Sequence, residues 1–147
     1  MNIKITSVFL ILMLCGGCEI QYKDVSNLPE YRPLIGATYT TTNTMYISGV
    51  NAPPGYGKNI DYYKIDPLNH NWSGPEKITE DKLPAGTKLT VKSIRKPTTY
   101  FLGDRIQSEV HIAPYRTEET HPVYIGLEDL ISSGNMTTEN KPVQPIK

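Results

Sequence analysis

Apolar and polar side chains alternate with a period of two along much of this chain, in short runs separated by proline and glycine. Such alternation predicts half-buried strands rather than helices. The cleanest run is Thr87 to Arg95. Its strict alternation puts Leu89, Val91 and Ser93 on one face and Lys88, Thr90, Lys92 and Ile94 on the other. Arg105 to Ile112 repeats the pattern, with Ile106, Ser108, Val110 and Ile112 set against Arg105, Gln107, Glu109 and His111. Further strands are predicted at Ala37 to Thr42, at Thr44 to Val50 (Met45, Ile47 and Gly49 opposing Tyr46, Ser48 and Val50), at Ile60 to Ile65, from Lys77 to Thr79, at Tyr100 to Leu102 before a Gly103-Asp104 turn, and at Pro122 to Leu127. Loops fall at Asn51 to Gly57 and Asp66 to Pro75, where proline and glycine cluster. Ser26 as an N-cap, Pro29 in the first turn and Pro33 as the stop predict one helical turn near Ser26 to Tyr31, and Glu128 to Ile131 reads as another. Six or seven short strands in about 105 residues imply a mainly β domain, a small antiparallel barrel or sandwich.

The N-terminus follows a different rule. Met1 to Lys4 is short and positive, and Ile5 to Leu14 is apolar except for Thr6 and Ser7. Ten residues are too few for a bilayer core, which needs about 20. This is signal-peptide architecture. Leu14-Cys15-Gly16-Gly17-Cys18 resembles the lipobox of bacterial lipoproteins, although Cys15 stands where that family usually has leucine. The resemblance implies cleavage before Cys18 and lipidation of its sulfur, so the chain would join the membrane through that lipid. Glu19, where an aspartate would signal inner-membrane retention, implies the periplasmic face of the outer membrane. The expected organisation is a signal peptide over residues 1–17, a lipidated tether over 18–26, a β domain over 27–131 and a disordered tail over 132–147.

Leu83-Pro84-Ala85-Gly86-Thr87-Lys88-Leu89-Thr90-Val91, a hairpin, and the closing Val123-Tyr124-Ile125-Gly126-Leu127-Glu128-Asp129-Leu130 resemble SH3-like barrels, which often end in a strand and one 3₁₀ turn. The resemblance covers about half the chain. It implies a small antiparallel SH3-like barrel behind a short N-terminal helical turn. The Tyr31-Arg32-Pro33-Leu34-Ile35-Gly36 opening is similar to that of uncharacterised Gram-negative lipoproteins, which implies no activity.

Composition narrows the function. Fifteen basic and fifteen acidic residues cancel, and removing the signal peptide takes one lysine and no acid, leaving a net charge near −1. A nucleic-acid ligand would call for a basic excess, so none is expected. Cys15 and Cys18 are the only cysteines, so the mature domain has no thiol for catalysis or cross-linking. His70, His111 and His121 lack metal-ligand spacing, and no Gly-x-Ser-x-Gly elbow or phosphate-binding loop occurs. Neither a cofactor, a metal site nor an enzyme is expected.

Ten tyrosines against two phenylalanines and one tryptophan instead favour a surface that stays amphipathic. Tyr56, Tyr62, Tyr63, His70 and Trp72 fall in or beside the two long loops, and Trp and Tyr are enriched at binding hot spots. The same residues could instead pack, with Tyr62 or Tyr63 facing the core and Trp72 plugging a barrel end. The expected function is a non-catalytic binding module for a periplasmic protein or peptidoglycan, an immunity or inhibitor protein being one form of it. The alternative is a structural accessory of an envelope complex.

Overall fold

The structure is a computed structural model that describes residues 21–52, 57–68, 76–98, 105–114, 121–132 and 134–138. The expected signal peptide, Cys18 and the strand expected at Tyr100 to Leu102 lie outside the described residues. The elements are β1 (Tyr22–Asp24), a 3₁₀ turn (Arg32–Leu34), β2 (Thr38–Thr41), β3 (Met45–Val50), β4 (Tyr62–Asp66), β5 (Lys77–Leu83), β6 (Lys88–Pro97), β7 (Gln107–Ala113), β8 (Val123–Gly126), α1 (Leu127–Ile131) and β9 (Met136–Thr138). The domain is mainly β with a short N-terminal helical turn, as the alternation predicts.

The strands form one sheet in the order β5-β3-β4-β8-β7-β6-β2-β9, with β1 paired to the far end of β6. The sheet is not closed, so the barrel expected from the SH3-like resemblance is incomplete. Nor is it wholly antiparallel, because β4 and β8 run parallel, Tyr63 opposite Val123 and Ile65 opposite Ile125. Even so, buried side chains from seven strands and α1 make one core, among them Tyr39, Met45, Ile47, Ile65, Leu83, Leu89, Ile94, Val110, Ile112, Ile125 and Leu130. A single sheet surrounds a single core only by curling, and two devices curl this one.

The first is bulging. The β6–β7 register slips between Val91 and Ser93, so Lys92 and Ser93 both stay outside and Ile94 turns inward to full burial. The strict alternation that put Ile94 with the lysines is therefore corrected by one inserted residue. A second slip falls at Gly49/Val50 in the pairing with β5, while Val50 stays opposite Tyr62 in β4 and is buried outside the main core cluster. Gly49 is needed there, since a Cβ would meet Thr79 Oγ1 at 2.5 Å.

The second device is a stitched corner. The Thr41 amide donates to the Thr87 carbonyl (2.9 Å), and the Gly86 amide donates to the Thr41 carbonyl (2.8 Å). The Thr41 hydroxyl donates to the Pro84 carbonyl (3.0 Å) and accepts from the Thr87 amide (3.1 Å). These bonds tie the β2–β3 bend to the β5–β6 turn. Gly86 permits that turn at φ +88°, a conformation L side chains avoid.

Three expectations at the ends are corrected. Tyr22 to Asp24 pair with β6, and buried Val25 donates its amide to the Ile94 carbonyl (2.9 Å), so this stretch belongs to the sheet rather than to a tether. Ser26 caps no helix. Its hydroxyl accepts the Ile94 amide (2.9 Å), and the helical turn falls later, at Arg32–Leu34 with Pro33 inside it. Finally, Met136 to Thr138 pair with β2 and Met136 packs on the core, so residues 136–138 belong to the sheet rather than to a tail.

A tyrosine–arginine row as the candidate functional site

Strand parity sorts the expected aromatic residues. In β4, Ile65 is buried and Tyr63 packs against the core, which leaves Tyr62, Lys64 and Asp66 on the outer face. In β8, Val123 and Ile125 point inward and Tyr124 outward. The packing alternative thus holds for Tyr63, whose ring makes an edge contact with His121 at 6.3 Å. Tyr62 is the exposed-face partner. Tyr56, His70 and Trp72 lie outside the described residues.

On that outer face the structure assembles a row that the loops do not account for. The Tyr62 and Tyr124 rings meet edge to face with centroids 5.8 Å apart. Arg95 of β6 reaches across Gln107 of β7, and its Cζ lies 3.3 Å from the Tyr124 centroid and 4.2 Å from that of Tyr22 on β1. Its Nε and Nη2 both donate to Gln107 Oε1, at 3.0 and 2.7 Å. Cation–π contacts of this kind contribute about 0.5–2 kcal/mol each, more as water is removed. The row therefore runs Tyr22, Arg95, Tyr124, Tyr62 across β1, β6, β7, β8 and β4. All four side chains are half-buried. Burial pushes the Tyr62 phenol up from its ordinary range, Tyr22 adds to that shift, and Arg95 opposes it.

Of these residues only Tyr62 was expected. Tyr124 and Gln107 carried a usable signal, since each sits on the polar side of its alternation. Arg95 and Tyr22 did not, because the bulge inverts the parity before Arg95 and Tyr22 lies in the stretch read as tether.

The loop that follows β3 is closed at its base. Asn51 Nδ2 donates to the Asn59 carbonyl and to Asp61 Oδ2 (both 2.9 Å), while Asn51 Oδ1 accepts the Gly57 amide (3.1 Å). Asp61 Oδ2 also accepts the Ala52 amide (2.7 Å). A Cβ on Gly57 would come within 2.9 Å of Asn51 Nδ2, so this loop closes on a glycine of necessity.

A separate cleft of about 340 Å³ lies where α1 leaves β8, lined by Asp66, Arg105, Ile106, Leu127, Glu128 and Asp129 among others. Burial raises the Asp129 carboxyl, with Asp66 and Glu128 adding to the shift and Arg105 and Lys64 opposing it. Asp66 itself is paired to Lys64 at 2.9 Å. Among the described residues no group of three or more His, Cys, Asp or Glu side chains could hold a metal ion. No protein-family model matches the chain, and no curated protein or solved structure is significantly similar to it.

Proposed function

We propose that this chain is a lipoprotein anchored through Cys18 on the periplasmic face of the outer membrane, and that its domain is a non-catalytic binding module for a protein or peptidoglycan ligand. The observation that carries the binding reading is the row Tyr22, Arg95, Tyr124, Tyr62. It presents flat rings and a guanidinium on one sheet face, the residue types that concentrate binding energy. None of the three phenol hydroxyls has a hydrogen-bond partner among the described residues.

Two experiments test the two halves. Metabolic labelling with a palmitate analogue should mark the wild-type chain and not Cys18→Ala; equal labelling of both would refute the anchor. Sedimentation with purified cell wall and cross-linking to periplasmic proteins should retain the wild-type chain and lose it in the double variant Tyr62→Ala/Tyr124→Ala. Retention unchanged by that variant would remove the row as the ligand surface. The second reading, an accessory packed into an envelope complex, draws on Leu28 and Ile35, apolar side chains 44% and 37% exposed beside the N-terminal anchor segment. Co-purification through that segment, indifferent to the row, would favour it.

A further inference from the structure

We infer that Arg95 is a carboxylate receptor, and that the ligand of this face presents the terminal carboxylate of a peptide to it. The inference rests on the reading of the row as the ligand surface and adds the chemistry of what binds there.

Arg95 is the cation of the row. Among the described residues no carboxylate pairs with it. The acids nearest in register are committed elsewhere. Asp24, opposite Arg95 on β1, accepts the Ser26 amide at 2.8 Å, and the Ser26 side chain together with that amide holds its carboxyl below the usual range. Glu109, on the outer face of β7, accepts from Lys92 Nζ (3.0 Å) and Ser93 Oγ (3.2 Å). Half-burying a guanidinium without an anion is unfavourable, and aromatic faces offset only part of the cost.

Its orientation is fixed as well. A guanidinium has five N–H donors, and Gln107 takes one from Nε and one from Nη2. Of the three that remain, one N–H of Nη1 and the second of Nη2 form the end-on edge, in one plane. A carboxylate offers two oxygens at the matching spacing and in the same plane, which makes it the bidentate partner of this edge. A phosphate offers such a pair too, but its other oxygens leave that plane, and the Tyr124 ring, its centroid 3.3 Å from Cζ, crowds the space off it. A carboxylate at the end of a chain can enter edge-on while the preceding residues lie past Tyr124 toward Tyr62. A protein C-terminus and a peptidoglycan stem peptide share this chemistry and differ in the chirality of the last residues.

Calorimetric titration of the full-length lipidated chain in detergent micelles tests the inference, with N-acetyl-L-Ala-L-Ala, N-acetyl-D-Ala-D-Ala, the C-terminal amide of each, and inorganic phosphate as probes. At least one free acid should bind at least tenfold more tightly than its amide, and Arg95→Lys should abolish that preference. Should Arg95→Lys fail to fold, Gln107→Leu, which frees the guanidinium to reorient, should reduce binding of the acid without affecting the amide. Preference for the L or the D acid assigns the source, and either supports the receptor. Equal affinity for acid and amide, tighter binding of phosphate, or no heat from any probe overturns it. Binding of the amides that is lost in Tyr62→Ala/Tyr124→Ala but untouched by Arg95→Lys would overturn the receptor while leaving the row as the ligand surface.

Discussion

Thr41→Val tests whether the stitched corner holds the curled sheet together. Valine keeps the shape and the β-branched preference of threonine and deletes only the hydroxyl. Two hydrogen bonds go with it, one to the Pro84 carbonyl and one from the Thr87 amide. Neither partner is fully orphaned. The Pro84 carbonyl still accepts from Thr87 Oγ1 at 2.7 Å, and the Thr87 amide keeps a longer bond to Pro84 at 3.3 Å. The cost is therefore that of two net hydrogen bonds rather than of buried unsatisfied groups, about 1–2 kcal/mol in all. In a domain of about 100 residues that lowers Tm by roughly 4–16 °C. The matched control is Thr38→Val, which removes one hydroxyl of the Thr38–Thr90 pair (3.0 Å) between two strands already joined by their own ladder. It should cost about 0.5 kcal/mol or less. Urea denaturation followed by circular dichroism measures both. If Thr41→Val costs no more than Thr38→Val, the corner is an incidental contact and the sheet is held curled by its core alone.

Three further outcomes follow from groups that the core treats unevenly. Ser108 is fully buried and its hydroxyl has no hydrogen-bond partner among the described residues, so Ser108→Ala should leave stability unchanged or raise it by up to about 1 kcal/mol; a loss above about 1 kcal/mol in urea denaturation would reveal a bond to that hydroxyl. Asn51→Ala removes three side-chain hydrogen bonds at the loop base and should cost about 2–3 kcal/mol, while Asn51→Asp, which keeps only the acceptor and places a second carboxylate beside Asp61, should cost at least as much; a loss under about 0.5 kcal/mol for either would mean that the loop closes without Asn51. The Asp129 carboxyl titrates above its ordinary value when folded, so the folded state binds the proton more tightly than the unfolded state. Its contribution is thus lost as pH rises from the ordinary carboxyl range through the folded value, and Asp129→Asn should flatten that part of the stability–pH curve; an unchanged curve would refute the shift.

What was legible in the chain depended on whether one strand's alternation stayed intact. Arg105 to Ile112 reads correctly because no residue is inserted: Ser108, Val110 and Ile112 all turn inward, even though one is polar. Thr87 to Arg95 reads correctly only as far as Val91, since a bulge is a property of the pair and leaves no mark in either strand alone. That single slip hid both Ile94 as core and Arg95 as surface. The short terminal strands were illegible for another reason. Tyr22 to Asp24 and Met136 to Thr138 are too short to show a period, and they are strands because β6 and β2 offer open edges to pair with. The parallel β4–β8 pair, which sets Tyr124 beside Tyr62, follows from the chain's long return and from no local pattern. The candidate surface was therefore legible as a tyrosine excess and as Tyr62, but not as a row.

Docking of β1 also bears on what the proposed anchor would do. Read as a free segment, residues 18–26 would let the domain wander up to about 28 Å from the lipid, at ~3.5 Å per residue. In the structure Gln21 is already held, its carbonyl accepting the Thr98 amide (2.8 Å) and hydroxyl (3.0 Å). Only three residue steps separate Cys18 from that point, at most roughly 11 Å of chain. With Cys18 lipidated, as proposed, the β1 edge is tied to the membrane and Tyr22 is the near end of the row. The contacts along the row keep the Tyr62 ring within about 13 Å of that of Tyr22. A ligand bound along the row then lies within one domain width of the bilayer, in a direction set by β1 rather than by a flexible linker. Inserting a Gly-Ser spacer between Glu19 and Gln21 should leave binding of a free ligand unchanged and weaken capture of one fixed in the cell wall. Equal weakening of both would show that the segment acts on the fold and not on the reach.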